Sequence, residues 1–367
     1  MAGSYHEHRL RRLTSGRFAL IRVRASGLLP IFAILSSCTI SAGAQSAAPV
    51  PFPPQSQQFG VSATAVMQSQ QPMRSSSGAY TLQVNAEEVV LNCTVLDNKG
   101  QLVNDLNKNN FKVFEDKIPQ TIVSLQHQDT PVSIGLLVDN SGSMRGKRAA
   151  VASAALDLVK ASNPQDETFV VNFSDQAFLD QDFTSDLGKL QDGLAHLNLS
   201  GGTALYDTVV TAADKMERSA KRPRKVLIVI TDGDDNASNL TLDKAIHRVE
   251  GMQGPIIYSI GLLFGGDTSG GEVRHARHAL QALSSETGGI AFFPGSLKDI
   301  DSIAAEVARD IRNQYAVAYH SAGSSANGYH TVKVEARASG HSKLSVYTRT
   351  GYFLKISPST SPKTNAR

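Results

Sequence analysis

Between Pro131 and Asn313, continuous apolar runs alternate regularly with segments in which apolar residues recur at helical spacing. The apolar runs cover residues 132–138, 168–173, 226–230, 256–263 and 290–293. Runs this continuous are typical of strands that are buried on both faces, as in parallel sheets. Apolar residues recur at helical spacing in residues 151–159, 205–216 and 300–311. The alternation therefore predicts an α/β fold with a doubly wound parallel sheet between layers of helices.

A different pattern flanks this region on both sides. Within residues 79–129, Val89, Leu91, Cys93 and Val95 alternate with other residues at the period of a half-buried strand. Residues 111–114 and 121–125 predict a hairpin, so we expect a small, sandwich-like all-β module with Cys93 buried in it. Short strands return in residues 315–354. The sequence leaves open whether they close onto the β module or extend the edge of the α/β sheet.

The N-terminal 44 residues predict a secretory signal peptide. Six arginines and one acid, Glu7, precede an uncharged segment with a short apolar core. Ala44-Gln45 fits an ordinary cleavage site, whereas the residues before Cys38 resemble a lipobox, so a soluble form and a lipid-anchored form both stay open. Residues 45–78 are rich in Pro, Gln and Ser and predict a flexible linker, and residues 355–367 predict a flexible tail.

Removal of the signal peptide changes the charge of the protein. The full chain has a net charge of +3. Residues 1–44 contribute +5, so the mature chain has a net charge of −2. A nucleic-acid-binding function loses its electrostatic basis. The two cysteines also exclude a disulfide-built scaffold, because Cys93 has no partner once Cys38 is cleaved off or acylated.

Three loops in the α/β region carry hydroxyl and carboxylate side chains at strand ends or helix starts. Their candidate ligand residues are Asp139, Ser141 and Ser143 after the first strand, Thr203 at the start of a helix, and Asp232 after the third strand. Loops at the carboxyl ends of strands converge on one crevice in a doubly wound sheet. Because all five donors are hard oxygens, they favour Mg²⁺, with Mn²⁺ or Ca²⁺ as alternatives.

These residues, in this order and spacing, resemble the metal-ion-dependent adhesion site of the von Willebrand factor A-type domain. The resemblance covers residues 131–314 and implies a Rossmann-like fold. It also implies that Ser141, Ser143 and Thr203 contact Mg²⁺ directly and that Asp139 and Asp232 act largely through water. A partner protein's Asp or Glu would supply the last ligand. The flanking 106–116 and 349–353 segments resemble secreted bacterial proteins related to this family.

The resulting hypothesis is a non-enzymatic, extracytoplasmic binding or adhesion module. In the lipid-anchored form, the N-terminal lipid would be its contact with the membrane. A metal-dependent hydrolase using the same ion is the alternative. Gly142–Lys147 falls one residue short of a phosphate-binding loop, which argues against ATP binding. Glu272, His275 and His278 share one side of a predicted helix, where neighbouring arginines favour a solvated basic face over a metal site. Asp234 and Asp235 are expected to be solvated loop charges.

Overall fold

The computed structural model describes residues 50–51, 88–127, 129–196, 200–252, 254–265, 269–321, 328–341 and 343–353. Its strands, in chain order, are β1 (Val50–Pro51), β2 (Glu88–Leu96), β3 (Phe111–Glu115), β4 (Ile118–Gln120), β5 (Ile122–Gln126), β6 (Val132–Asp139), β7 (Glu167–Phe173), β8 (Ala177–Thr184), β9 (Arg224–Thr231), β10 (Ile256–Gly261), β11 (Ala291–Phe292), β12 (Tyr315–His320), β13 (Tyr329–Ala336), β14 (Ser345–Tyr347) and β15 (Gly351–Phe353). Its α-helices are α1 (Arg148–Lys160), α2 (Leu187–Ala195), α3 (Leu205–Ser219), α4 (Leu242–Glu250), α5 (Gly270–Thr287) and α6 (Ile300–Arg312). The signal peptide, Cys38, nearly all of the linker and the C-terminal tail lie outside the described residues.

The largest sheet has the strand order β1-β8-β7-β6-β9-β10-β11. Strands β7, β6, β9, β10 and β11 are parallel, whereas β8 and β1 extend one edge antiparallel. The chain runs outward from β6 through β7 to β8 and later returns to β9 on the other side of β6. This change of direction puts a topological switch point at the carboxyl end of β6, where ligands bind in open α/β sheets.

Helices cover both faces of this sheet, which confirms the predicted doubly wound α/β class. Successive strand residues point to opposite faces, so Leu136 packs with α1, α2 and α6, whereas Leu137 packs with α3, α4 and α5. Each face therefore has its own apolar core, and both are closed to solvent at the centre of the sheet.

The predicted β module is a sandwich of two four-stranded antiparallel sheets. One sheet has the order β14-β2-β12-β5 and the other β15-β13-β3-β4. The strands after Asn313 therefore close onto the segment before Pro131, which the sequence left open. Cys93 is fully buried in the sandwich core, and burial raises the pKa of its thiol to about 12.

Two details of the strand prediction were wrong. Strand β3 pairs with the short β4, whereas β5 crosses to the other sheet and pairs with β12. The predicted hairpin thus has a different second strand, because Asp116 and Lys117 form a tight turn at positive φ directly after β3. Strand β8 was not predicted, because it lies near the sheet edge, is half-buried except at the exposed Asp182 and lacks a continuous apolar run. Within the described residues, no helix has the length and apolarity needed to cross a membrane.

Candidate metal centre

Asp139 ends β6 at the switch point and is completely buried. Its Oδ1 accepts a hydrogen bond from the Ser141 amide at 2.8 Å, and its Oδ2 accepts one from the Thr231 hydroxyl at 2.5 Å. Burial raises the pKa of Asp139, and the nearby charge of Asp232 adds to that increase. A cation at this position would therefore stabilise the ionised carboxylate.

The two serines extend from Asp139 towards solvent. Ser141 is buried, whereas Ser143, in the 3₁₀ turn that follows, is exposed. The Ser141 and Ser143 hydroxyl oxygens lie 3.0 Å apart, and the Ser143 hydroxyl donates to Oδ1 of Asp232 at 2.7 Å. Ser143 and Asp232 are 89 residues apart in sequence. The loops after β6 and β9 thus bring the oxygens of Ser141, Ser143 and Asp232 into one series of hydrogen bonds.

Thr203 lies on the third loop and is buried. Its amide donates to Oδ1 of Asn236 at 2.8 Å, and its carbonyl accepts from the Asn236 amide at 3.1 Å. A Cβ placed on Gly233 would lie 3.5 Å from the Thr203 hydroxyl oxygen, so this hydroxyl faces the turn next to Asp232. The structure therefore places the Thr203 hydroxyl against the turn that carries Asp232, and the described hydrogen bonds of Thr203 go to Asn236.

Asp175, which the sequence analysis did not identify, stabilises the loop that carries Thr203. Its carboxylate accepts a hydrogen bond from the Gly202 amide. Gly201 has a φ of +83°, and a Cβ there would lie only 2.3 Å from the Asp175 carboxylate. A glycine is required at this position for both its backbone conformation and the lack of space.

Lys147 is the most important residue that the sequence analysis missed. Its ammonium group donates to Oδ2 of Asp232 at 2.7 Å and to the Leu262 carbonyl at 3.2 Å. The lysine side chain is 15% exposed and the Asp232 side chain 1%, so this ion pair is largely removed from solvent. The signal for Lys147 in the sequence is its position four residues after Ser143, at the end of the Gly142–Lys147 segment that resembles a phosphate-binding loop.

Arg148 lies behind the site and is 2% exposed. Its guanidinium donates to the Asn172 side chain and, at 3.3 Å, to the Leu194 carbonyl. Burial lowers its pKa to about 10, while the charges of Asp180 and Asp139 oppose that decrease. Arg148 therefore stays charged at neutral pH and partly balances Asp139 from the protein interior.

The donor set fits a small divalent cation. Neighbouring ligands of octahedral Mg²⁺, each at 2.0–2.1 Å, are separated by roughly 2.9 Å. The Ser141–Ser143 oxygen separation of 3.0 Å is close to that value, and the 2.7 Å hydrogen bond from Ser143 places the Asp232 carboxylate next to one of these ligands. The hydroxyls can turn their lone pairs to a cation, since hydroxyl oxygens both donate and accept.

Other polar clusters have structural partners. Glu115, Asp116 and His330 of the sandwich lie close enough together to hold a metal ion. However, the Glu115 carboxylate already accepts hydrogen bonds from the hydroxyls of Tyr319, Tyr352 and Ser321, and His330 pairs with Asp116. These contacts occupy the Glu115 carboxylate and Nδ1 of His330, whereas the buried Nε2 of His330 has no hydrogen-bond partner among the described residues.

Helix α5 carries the predicted Glu272, His275 and His278, but their roles differ. Glu272 forms a capping box with Ser269, and His275 Nδ1 lies 2.6 Å from Oδ2 of Asp234. Asp235 accepts from the Tyr206 amide at 3.0 Å and from the Ser238 hydroxyl. The expectation that Asp234 and Asp235 are solvated charges was wrong, because both tie the loop after β9 to neighbouring helices or loops.

Residues 134–234 match the family model of the von Willebrand factor type A domain. No curated protein sequence matches the chain. Among solved structures, the vWF domain of the type V pili tip protein Mfa5 from Porphyromonas gingivalis shares 13% identity at a TM-score of 0.41, covering 50% of this chain and 95% of that one. An aerotolerance-related membrane protein from Bacteroides fragilis shares 18% identity at a TM-score of 0.40, covering 49% and 98%.

A von Willebrand factor type A protein from Catenulispora acidiphila shares 14% identity at a TM-score of 0.42, covering 73% of this chain and 75% of that one. The matched residues 134–234 include all five predicted ligand residues. By this match, residues 134–234 are similar in sequence to the von Willebrand factor type A domain.

Proposed function

We propose that this protein is an extracytoplasmic binding module that holds an acidic side chain of a partner protein through Mg²⁺. Ser141, Ser143 and Thr203 would hold the ion directly, and Asp139 and Asp232 would act largely through water. The observation that carries the proposal is the continuous oxygen chain from Ser141 through Ser143 to Asp232, at 3.0 and 2.7 Å.

The charge balance favours an anionic ligand from outside. Asp139 and Asp232 together contribute two negative charges, which a divalent cation would neutralise. Lys147 adds a further positive charge 2.7 Å from Asp232. The site with its ion therefore has a net positive charge, and Ser143 on its outer side is exposed to solvent. A carboxylate that approaches past Ser143 would complete both the coordination and the charge balance.

Binding is better supported than hydrolysis. A hydrolase needs a general base or a nucleophile that is available to the substrate. Asp232 and Lys147, the charged side chains nearest the outer hydroxyl, are paired with each other. Asp139 is fully buried and accepts hydrogen bonds on both oxygens. These groups can hold and orient an ion, and their pairing leaves them poorly placed to move a substrate proton.

The extracytoplasmic location rests on the basic, apolar and small-residue order of residues 1–44. Mass spectrometry of the mature protein distinguishes its two forms. A chain that starts at Gln45 without lipid supports the soluble form, and an acylated Cys38 supports the anchored one.

The direct test is metal binding together with metal-dependent capture of a partner. We expect Mg²⁺ to bind the wild-type protein in calorimetry and Asp139→Ala to lose that binding. Asp157→Ala is a matched control, because Asp157 is exposed and pairs only with Lys160 among the described ion pairs. Partner capture from an envelope extract should need Mg²⁺ and fail with chelator. Capture that is indifferent to chelator and to Asp139→Ala would contradict the proposal.

A further inference from the structure

A cavity of about 720 Å³ opens directly beside the candidate metal centre. Ser143, Lys147 and Asp232 line the end nearest the metal centre. The remaining wall comes from the segment after β10, the first turn of α5 and Leu297 in the 3₁₀ turn before α6. Its volume falls within the range of sites that take a ligand group rather than a single water.

The far wall of this cavity is apolar. Leu263, Phe264, Val273 and Leu297 line it, and each is only half-buried. These side chains come from three separate segments, so the fold gathers them at one place on the surface. Apolar side chains clustered around one opening are typical of an interaction site, whereas single exposed ones are ordinary.

Lys147 connects the polar and apolar ends. Its Nζ lies 2.7 Å from Oδ2 of Asp232 and 5.3 Å from the centre of the Phe264 ring. The apolar wall thus begins within one side-chain length of the metal centre. Two neighbouring residues of a partner loop, with Cα atoms about 3.8 Å apart, can reach both ends, because their side chains need not point to opposite faces as they do in a strand.

The charges around the cavity match that arrangement. Lys147 is positive at the metal end. Asp232 is paired with Lys147, and the third charged lining residue is Glu272, whose carboxylate accepts from the Ser269 amide at 3.0 Å in the capping box of α5. Its charge is thus directed to the helix N-terminus, where a carboxylate is stabilised.

We propose that the cavity binds a partner segment in which a large aliphatic or aromatic residue lies next to the metal-binding Asp or Glu. This inference rests on the proposed function and adds the specificity of the partner. The carboxylate would meet the ion beside Ser143, and the neighbouring side chain would enter between Phe264, Val273 and Leu297. Burial of that side chain would supply affinity that a carboxylate alone lacks.

The test uses phage-displayed random peptides with one fixed central Asp, captured on the full-length protein. We expect capture that depends on Mg²⁺ and enrichment of Leu, Ile, Phe or Met beside the Asp. Synthetic peptides with Leu in that place should bind about tenfold more tightly than those with Ser, the gain expected from burying part of one apolar side chain.

Variants separate the cavity from the metal centre. Val273→Lys and Leu297→Ala should keep the Mg²⁺-dependent capture of Asp peptides but lose the tenfold preference for Leu over Ser. Leu187→Lys is the control, because Leu187 is exposed on α2 and does not line the cavity. The chain contains no tryptophan, so Phe264→Trp adds a single fluorophore whose emission should shift to the blue when the Leu peptide binds.

Two results would overturn this inference. Equal affinity for the Leu and Ser peptides in Mg²⁺ would refute it while the proposed function stands. Absence of any Mg²⁺-dependent capture of Asp peptides would refute the proposed function and this inference together.

Discussion

The Thr231 hydroxyl donates to Oδ2 of Asp139 at 2.5 Å across the neighbouring strands β9 and β6. The two residues are 92 positions apart in sequence, and both are completely buried. The contact follows from strand register, since Val138 pairs with Ile230 one position earlier. The carboxylate at the centre of the site is therefore oriented by the sheet itself.

Removal of this hydroxyl should destabilise the protein. Thr231→Val keeps the shape of the side chain but leaves Oδ2 of the buried Asp139 without its donor, which should cost about 1–3 kcal/mol of unfolding free energy. Urea denaturation measures the change. Thr211→Val is the control, because the Thr211 hydroxyl bonds only to the carbonyl of Asp207 in its own helix. A similar loss in both variants would argue against a special role for the Thr231 contact.

Loss of Lys147 should lower the stability of the metal-free protein and increase the stabilisation that Mg²⁺ provides. In Lys147→Met, the largely buried Asp232 loses its counter-charge, so we expect a loss of about 2 kcal/mol in chelator. Mg²⁺ should then raise the melting temperature more than it does in wild type, because the ion meets an uncompensated carboxylate.

Lys160→Met is the matched control for this experiment. Lys160 and Asp157 are each 55% exposed, and pairs of this kind contribute little to stability. A Mg²⁺-induced shift that is the same in wild type and Lys147→Met would show that the lysine charge does not influence the ion.

Asp310 predicts a pH dependence of stability that is independent of the metal centre. It is 2% exposed on α6, and burial, assisted by the charge of Glu306, raises its pKa from 3.8 to about 7. The folded state therefore holds this proton more tightly than the unfolded state. Its contribution to stability is complete below pH 3.8 and is lost as pH rises towards 7.

The loss should be on the order of 4 kcal/mol for this group, because each pKa unit corresponds to about 1.4 kcal/mol. Asp310→Asn removes the titrating proton, so this variant should be more stable than wild type at pH 8 and close to it at pH 4. Urea unfolding at both values tests the expectation, and Asp301→Asn, at an exposed position on the same helix, controls for the helix itself. An Asp310→Asn difference that is equal at both values would contradict the raised pKa.

Chelation tests whether the ion contributes to folding as well as to binding. If Mg²⁺ serves binding, its stabilisation should follow RT ln(1 + [Mg²⁺]/Kd), or about 2.7 kcal/mol at one hundred times Kd. Thermal melting over a Mg²⁺ series, compared with Kd from calorimetry, checks this. A stabilisation far above that relation would indicate an ion that is needed for the fold.

The α/β architecture and the order of the site residues were predictable from local patterns. Residues 132–138 and 226–230 are apolar without interruption because β6 and β9 are central strands with both faces covered, and Asp139 and Asp232 follow them directly. Strand β8 escaped prediction because a half-buried strand near an edge has no such signature. The pairing of Cys93's strand β2 with both β12 and β14 also had no local signal, since it joins segments from the two ends of the chain.

The sequence by itself determined which strands are central, where their carboxyl ends lie, and which hydroxyls and carboxylates follow them, because burial and strand geometry leave a period in the chain. The pairing of Lys147 with Asp232, the hydrogen bond from Thr231 to Asp139, the support of Thr203 by Asn236, and the apolar cavity beside them depend on the tertiary structure. Each of these contacts joins residues that are distant in sequence, and such contacts depend on how the sheet, the helices and the loops meet in space rather than on any local pattern.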